Sequence, residues 1–209
     1  MPVFEEIENL TDIPRKLRAS EAALLRQKLI GEAPESVLEV CQDISQLTLY
    51  LAAILDDRGG GSLTTFHSVK QNTRATTAIR ELGLQERIAS IPSGRSYTWA
   101  MQRLLSAQPP LSFDVCVLNG HKTWDASGFG IVLADLLLRP GGLMVFLDTQ
   151  WSMSTSPYFR ERPHLTQKFD ADELASKPVA LAIERILPRL NYDVSEVPEV
   201  PSMSFARKK

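Results

Sequence analysis

Residues 113–151 read FDVCVLNGHKTWDASGFGIVLADLLLRPGGLMVFLDTQW, and this stretch decides the fold. Its first part, Phe113 to Leu118, has the length and apolar content of a strand buried on both faces. Trp124 to Leu138 has the length and apolar content of a helix, which Arg139-Pro140-Gly141-Gly142 should stop. Leu143 to Leu147 is a second apolar run. Strand, helix and strand in this order predict two parallel strands joined by a right-handed crossover.

The same alternation extends to both sides of this unit. Toward the N terminus, further strands are predicted at 36–41, 63–66 and 87–91, and helices at 22–30 (with Ser20 as N-cap), 44–55, 69–82 and 97–107. Toward the C terminus, we predict a loop at 149–170, a helix at 171–187, and strands near 191–197 and 202–207. The sequence therefore predicts an α/β fold with a doubly wound, mostly parallel seven-stranded sheet and an antiparallel closing hairpin. The domain should span 35–209, after an N-terminal arm and helix over 1–34.

Composition and charge restrict the classes of partner. The chain has 209 residues, 44% of them hydrophobic, and a formal net charge of -2, which argues against a nucleic-acid partner. Basic residues cluster at Arg15, Lys16 and Arg18 and again at Arg207, Lys208 and Lys209. The terminal cluster is interpreted as a solvated tail.

The two cysteines and the hydropathy pattern indicate the cellular compartment of the protein. Cys41 and Cys116 lie in apolar runs and should be buried, unbonded thiols. No apolar stretch is long enough to cross a membrane, and the acidic start is unlike a signal peptide. These features predict a soluble, cytoplasmic protein without a membrane partner. A homodimer and a protein partner both stay open.

Three segments together resemble the small-molecule O-methyltransferases of the class I S-adenosylmethionine-dependent family. In 113–151 the family pattern is a strand, Asp-Gly-x-His-(Ser/Thr)-(Tyr/Trp)-(Asp/Glu), a helix, Leu-(Arg/Lys)-Pro-Gly-Gly, a strand and Asp-Asp. ELGLQERI at 81–88 is similar to the link into the third strand. SVLEV at 36–40 and LTLYLAAIL at 47–55 are similar to the first strand and the helix after it. The resemblance implies a Rossmann-like methyltransferase fold, S-adenosylmethionine as cofactor and a small-molecule acceptor.

The loop after the first strand departs from that pattern. The family reads Glu-x-Gly-x-Gly-x-Gly, and this chain keeps Glu39 but places Cys41, Asp43 and Ser45 at the glycine positions. If these residues keep a glycine-only conformation, each costs about 1–2 kcal/mol in strain. The alternative is a loop of different shape.

Two further cofactor positions carry unexpected side chains. At the end of the second strand, the resemblance implies an acid that binds the ribose hydroxyls. This chain has His67 at that position. After the third strand, the resemblance implies an acid that contacts the adenine amine. This chain has Arg95 there, and a guanidinium has no acceptor for that amine. Both residues stay open to a purely structural role.

The resemblance places the catalytic candidates after the fourth and fifth strands. Asn119 stands at the position of the family's Asp and, with the retained Gly120, is a candidate for cofactor binding. His121, Lys122 and Asp148 are the candidate bases, with His121 first because the ordinary pKa of a histidine side chain lies close to neutral pH. Asn119 and a lone Asp148 make a poor site for a hard cation, so no metal is expected.

Trp124 and Trp151 could wall the acceptor or pack locally, and Trp99, inside a helix, should be core.

Three functions stay open. The first is methyl transfer to a hydroxyl of a small molecule, with weakened binding of S-adenosylmethionine. The second is a non-catalytic partner or regulator built on the methyltransferase fold. The third is a pocket that runs other chemistry on another ligand.

Overall fold

A computed structural model describes residues 2–14, 17–68, 73–94 and 96–209. Its strands are β1 (Ser36–Cys41), β2 (Ser62–His67), β3 (Ile88–Pro92), β4 (Phe113–Asn119), β5 (Leu138–Phe146), β6 (Tyr192–Glu196) and β7 (Ser204–Lys208). They form one sheet in the order β3-β2-β1-β4-β5-β7-β6. Only β7 runs antiparallel to its neighbours, β5 and β6. The predicted seven-stranded, mostly parallel sheet with a closing hairpin is confirmed.

Helices cover both faces of this sheet. They are α1 (Pro2–Asn9), α2 (Ala19–Glu32), α3 (Gln46–Asp57), α4 (Thr73–Glu81), α5 (Tyr97–Leu105), α6 (Trp124–Leu137), α7 (Pro157–Arg160), α8 (Ala171–Ala175) and α9 (Pro178–Arg185). Helices α1 to α4 contribute to one apolar core cluster, and α5, α6 and α9 to a second cluster on the other face. None of the helices in the described ranges is long and apolar enough to cross a membrane.

The N-terminal segment is more ordered than the predicted arm. Residues 2–9 are helical, Ile7 is fully buried, and the Gln46 side-chain amide donates to the carbonyls of Ile7 at 3.0 Å and Leu10 at 2.8 Å. The following helix begins at Ala19, so Ser20 is its second residue and not its N-cap. Short-range patterns missed α1 because α3, far away in sequence, supplies its packing surface.

The Arg-Pro-Gly-Gly segment ends α6 as predicted, but it belongs to β5 and not to a turn. Strand β5 begins at Leu138, and its register against β4 shifts between Phe113 and Val115, so residues 139–142 form an irregular bulge. A Cβ on Gly142 would lie 2.7 Å from the Leu138 side chain, which explains the glycine there.

Two other segments near the C terminus differ from the prediction. The predicted helix at 171–187 is split into α8 and α9, because Pro178 has no amide hydrogen to continue α8. The basic terminus is not a solvated tail: Arg207 pairs with Glu32, Lys208 with Asp135 at 2.9 Å and Lys209 with Asp193 at 2.7 Å.

Cys41 and Cys116 are buried and unbonded, as predicted. Burial raises the pKa of both thiols, which keeps them protonated at neutral pH. Trp99, by contrast, was expected in the core and is 61% exposed, because it lies on the outer side of α5.

A buried carboxyl group joins three central elements. Glu39 on β1 is fully buried, and its Oε2 accepts hydrogen bonds from the hydroxyls of Thr48 on α3 and Thr65 on β2, both at 2.7 Å. Burial raises its pKa from 4.5 to about 7, although the hydroxyl hydrogen bonds oppose this shift. Glu39 therefore stays largely protonated in the folded protein at pH values where the unfolded chain has lost that proton.

Helix α5 rests on a glycine at the end of β4. Tyr97 is 2% exposed, and a Cβ on Gly120 would lie 2.5 Å from its ring carbon Cζ. The Tyr97 hydroxyl donates to the Ala126 carbonyl at 3.0 Å, and burial raises its pKa to about 12. The ring is thus held between the loop after β4 and the start of α6.

We predict that Glu39→Gln reduces the pH dependence of stability. A folded-state pKa above the unfolded value means that stability falls as pH rises from 4.5 to about 7, by about 3 kcal/mol for this shift. The variant should gain on the wild type over this window in urea titrations. Glu32→Gln is the control with opposite sign, because Arg207 lowers the pKa of Glu32: that variant should lose stability relative to the wild type as pH rises toward 4.5 and change little above it. Parallel wild-type and Glu39→Gln curves would contradict the prediction.

We also predict that Gly120→Ala destabilises the protein by about 1–3 kcal/mol, because the buried Tyr97 ring has no room to retreat. Gly60→Ala is the matched control. Nothing lies within 4 Å of a Cβ at Gly60, and its φ is outside the left-handed region, so its effect should stay within about 0.5 kcal/mol. Thermal or urea unfolding measures both, and equal midpoints for the two variants would count against the packing described.

Candidate functional site

The carboxyl ends of β1 and β4 meet where the strand order reverses. Strand β1 has β2 on one side and β4 on the other, and Cys41 at the end of β1 pairs in register with Asn119 at the end of β4. In open α/β sheets the loops at such a switch point diverge and leave a crevice that binds ligands. Most of the predicted site residues lie at this edge.

The loop after β1 does not use the left-handed backbone conformation that favours glycine. Among the described non-glycine residues, positive φ angles occur only at Ala33, Asp148 and Asn191. Cys41, Asp43 and Ser45 are therefore unstrained, and the expected cost of a glycine-only conformation does not apply. Cys41 and Ser45 are buried, and the Ser45 amide donates to Thr48 Oγ1 at 3.1 Å.

Side-chain hydrogen bonds tie this loop to the loops after β2 and β4. Ser68 Oγ, just after β2, donates to Asp43 Oδ2 at 2.8 Å. On the other side, His121 Nε2 lies 3.0 Å from Gln42 Oε1. The crevice left beside them has a volume of about 260 Å³ and is lined by Pro14, Cys41, Gln42, Asp43, Ile44, Ser45, Asn119, Gly120 and His121.

His67 ends β2 but does not face an open ligand site. It is 8% exposed, and its Nδ1 lies 2.6 Å from Ser90 Oγ on β3. The imidazole is therefore held against the sheet. Arg95, the other predicted cofactor residue with an unexpected charge, lies outside the described residues.

The catalytic candidates come together in a second and larger cleft. Lys122 Nζ, after β4, lies 3.1 Å from Asp148 Oδ2, after β5. Asp148 has φ 56°, in the left-handed region that non-glycine residues seldom adopt. Such strained residues cluster at functional sites. His121 borders the same cleft, so the structure groups all three candidates.

Aromatic side chains wall this cleft. Its volume is about 720 Å³, within the range of small-molecule sites. Trp151 packs edge-on against Phe159 at 6.0 Å between ring centroids, and Tyr158 packs edge-on against Phe159 at 5.2 Å. The lining residues are Asn119, Gly120, His121, Lys122, Thr123, Asp148, Trp151, Tyr158, Phe159, Leu165, Lys168 and Phe169.

The charge and proton state of the cleft follow from its side chains. Lys122 and Lys168 outnumber Asp148, so the cleft favours an anionic ligand. The amide oxygen of Gln42 can only accept, so His121 donates from Nε2, and in the neutral imidazole Nδ1 is then the acceptor. His121 also stacks on Tyr97, with 6.1 Å between ring centroids.

Several of these residues were not predicted from the sequence. Gln42 and Tyr97 carry no motif signal, because their role depends on partners far away in the chain. The aromatic residues between 151 and 169 are recognisable in the sequence, because they recur within a predicted loop that is otherwise polar. In the described part of the chain no group of three or more His, Cys, Asp or Glu side chains is placed to hold a metal ion.

Comparison with known proteins gives a match at the level of structure. No family model matches the sequence, and no curated protein matches it either. Among solved structures, the fold is similar to an O-methyltransferase from Bacillus cereus in complex with SAH (TM-score 0.69, 16% identity, covering 100% of this chain and 91% of that one).

Two further structures extend this similarity. One is the O-methyltransferase TomG from Streptomyces achromogenes in complex with SAM (TM-score 0.68, 16% identity, covering 99% of this chain and 87% of that one). The other is the SAH-bound methyltransferase PaMTH1 from Podospora anserina (TM-score 0.63, 14% identity, covering 100% and 86%). At these identities the likeness concerns the fold, and the chain has the class I S-adenosylmethionine-dependent O-methyltransferase-like fold.

Proposed function

We propose that the protein binds a small hydroxylated molecule in the cleft of Lys122 and Asp148 and acts on its hydroxyl, as a small-molecule O-methyltransferase-like protein with a weakened S-adenosylmethionine site. The observation that carries this proposal is the cleft itself. It brings a Lys–Asp ion pair from the ends of two adjacent strands under an aromatic wall.

The aromatic wall indicates the shape of the ligand. Trp151, Tyr158, Phe159 and Phe169 offer ring faces and edges on one side of the cleft. Flat aromatic ligands pack well in such surroundings, and a few polar groups then set their orientation. A planar hydroxylated ring with an anionic substituent fits both the wall and the excess of lysine.

The polar side chains supply acid–base chemistry for a hydroxyl. Gln42 accepts the hydrogen bond from His121 Nε2, so Nδ1 of the neutral imidazole is the nitrogen that takes the proton from the hydroxyl. Lys122, held by Asp148, places an ammonium group where it stabilises the developing oxyanion. Asp148 orients Lys122 through this ion pair.

The crevice between β1 and β4 does not fit S-adenosylmethionine. His67, at the end of β2, offers no carboxylate for a ribose and is bonded to Ser90. The Gln42–His121 hydrogen bond joins the two loops that border it, and the Asp43–Ser68 hydrogen bond fixes the first of these loops to the end of β2. A volume of 260 Å³ is below the usual range for a small-molecule site. When bound, the cofactor would supply an electrophilic methyl group, and binding would require these bridges to open.

A second candidate follows from the closed crevice. A protein that keeps the acceptor cleft but not the cofactor site would serve as a non-catalytic partner or regulator, or would run other chemistry on its ligand. The bridging hydrogen bonds of Gln42 and Asp43 favour this alternative over an ordinary methyltransferase. Cofactor binding distinguishes the two.

We predict that 1 mM S-adenosylhomocysteine shifts the thermal midpoint of the wild-type protein by less than about 1 °C. A ligand at 100 times its dissociation constant adds about 2.7 kcal/mol, enough for a shift of several degrees in a domain of this size. Loss of the ribose acceptor and the closed crevice should prevent saturation. A clear rise in the thermal midpoint would favour the methyltransferase function over the second candidate.

The reciprocal variant makes the same test sharper. The triple substitution Gln42→Gly, Asp43→Gly and His67→Asp removes both bridges and restores a carboxylate, so it should acquire a shift of a few degrees with S-adenosylhomocysteine. Homocysteine, which lacks the adenosine part, is the control ligand and should shift neither protein. If the triple variant is folded and still shows no shift, the crevice has a purpose other than this cofactor.

We also predict that 3,4-dihydroxybenzoate binds the wild-type protein and that Trp151→Ala weakens this binding about tenfold, by loss of ring stacking. Trp99→Ala is the matched control, because Trp99 is exposed on α5 and does not line the cleft. Isothermal titration calorimetry measures both variants. Equal losses in the two variants, or no binding to the wild type, would contradict the assignment of the cleft.

A further inference from the structure

A further pocket lies between α9 and the β6–β7 hairpin. Its volume is about 480 Å³, within the range of small-molecule sites. Among the described residues, those that line it differ from those of the crevice and of the aromatic cleft. We call it the α9 pocket, and its lining includes Gln150, Ile183, Pro188, Val194, Glu196 and Ser204.

The alternation of the last two strands turns three side chains toward this pocket. Tyr192 on β6 belongs to the core cluster of α5, α6 and α9, so Val194 and Glu196, at spacings of two residues, share its side of the sheet. On β7, Ala206 belongs to the same cluster, which places Ser204 on that side as well. The two strands therefore form the floor of the pocket, and α9 borders it.

More than half of the residues in the lining are apolar. Helix α9 contributes Ile183, the turn after it contributes Pro188, and the edge strand contributes Val194, which is 42% exposed. Removing such surface from water is favourable. The pocket thus suits the hydrocarbon part of a ligand.

Ser204 offers a hydroxyl that the protein itself does not use. The residue is 6% exposed, and its Oγ makes no hydrogen bond to the residues that the structure describes. The neighbouring polar side chains are engaged: Thr149 Oγ1 donates to the Pro201 carbonyl at 2.7 Å, and Gln150 accepts from Lys177. Because a buried hydroxyl without a partner is costly, Ser204 indicates a ligand atom that reaches it.

Glu196 lies directly opposite this hydroxyl and gives the site its charge. The two residues are register partners in the hairpin, so their Cβ atoms should be about 4.5–5.5 Å apart on one face. The second carboxylate of the lining, Glu184, pairs at 3.2 Å with its exposed neighbour Arg185, which neutralises it only weakly in water. Within the described ranges, no Lys, Arg or His side chain lines the pocket. The pocket therefore favours a cation.

We propose that the α9 pocket binds a primary ammonium ion with an apolar body, such as an arylalkylamine. The ammonium group has three N–H donors, of which one reaches the Glu196 carboxylate and another the Ser204 hydroxyl oxygen. The hydrocarbon part packs against Ile183, Pro188 and Val194. This preference is opposite to that of the cleft of Lys122, which favours anions, so the protein has two ligand sites that do not compete.

The test is isothermal titration calorimetry with 2-phenylethylamine at neutral pH. The wild type should bind it with a dissociation constant of about 1 mM or lower, which is ordinary for a ligand of this size. Glu196→Gln should weaken binding by about tenfold or more, because a charged hydrogen bond is lost. Glu199→Gln is the matched control, since Glu199 carries the same charge on the same hairpin, is exposed and does not line the pocket. No binding to the wild type, or equal losses in the two variants, overturns the proposal.

A second measurement separates a ligand-binding hydroxyl from a structural one. Ser204→Ala should weaken binding of 2-phenylethylamine about fivefold, yet leave the thermal midpoint of the ligand-free protein unchanged or higher, because the hydroxyl has no partner to lose. The trimethylated ion N,N,N-trimethyl-2-phenylethylammonium keeps the charge but has no N–H donor, and it should bind the wild type at least about tenfold more weakly. Unchanged affinity in Ser204→Ala, or equal binding of the two ions, would show that Glu196 and Ser204 do not hold an ammonium group.

Discussion

The parallel pairing of β1 with β4 is the interaction on which the rest of this structure depends. It brings together two strands that are nearly eighty residues apart and aligns Cys41 with Asn119 at one edge of the sheet. Every loop that carries a candidate functional group leaves the sheet at that edge. The chemistry available to the protein is therefore set by what the loops after β1, β4 and β5 place beside one another.

Those loops produce two neighbouring spaces with different properties. The crevice between β1 and β4 is narrow: Gln42 is hydrogen-bonded to His121 on the loop opposite, and Asp43 is held by Ser68 at the end of β2. The cleft beyond β4 and β5 is wide and aromatic, with an ion pair between Lys122 and Asp148. Under the proposed function, the wide cleft is the acceptor side and the bridged crevice is the cofactor side.

Much of the fold could be predicted from the sequence. Apolar runs and helical periods located all seven strands, and the order of the elements then required a doubly wound sheet, because crossovers are short and right-handed. The site was predicted only in part. His121, Lys122 and Asp148 follow strands whose ends must converge, so their proximity could be anticipated. The hydrogen bond of His121 to Gln42 could not, because it joins residues 79 positions apart through side chains alone.

By itself, the sequence determined the succession of strands and helices, the burial of both cysteines and the edge of the sheet at which candidate groups gather. These properties depend on local periodicity and on the rules that connect neighbouring elements. The tertiary structure alone decided that the loop after β1 is unstrained without glycine, that His67 is held by Ser90, and that Trp99 faces solvent. Each of these depends on which distant side chains fill the space around a residue, and that information is absent from the local pattern.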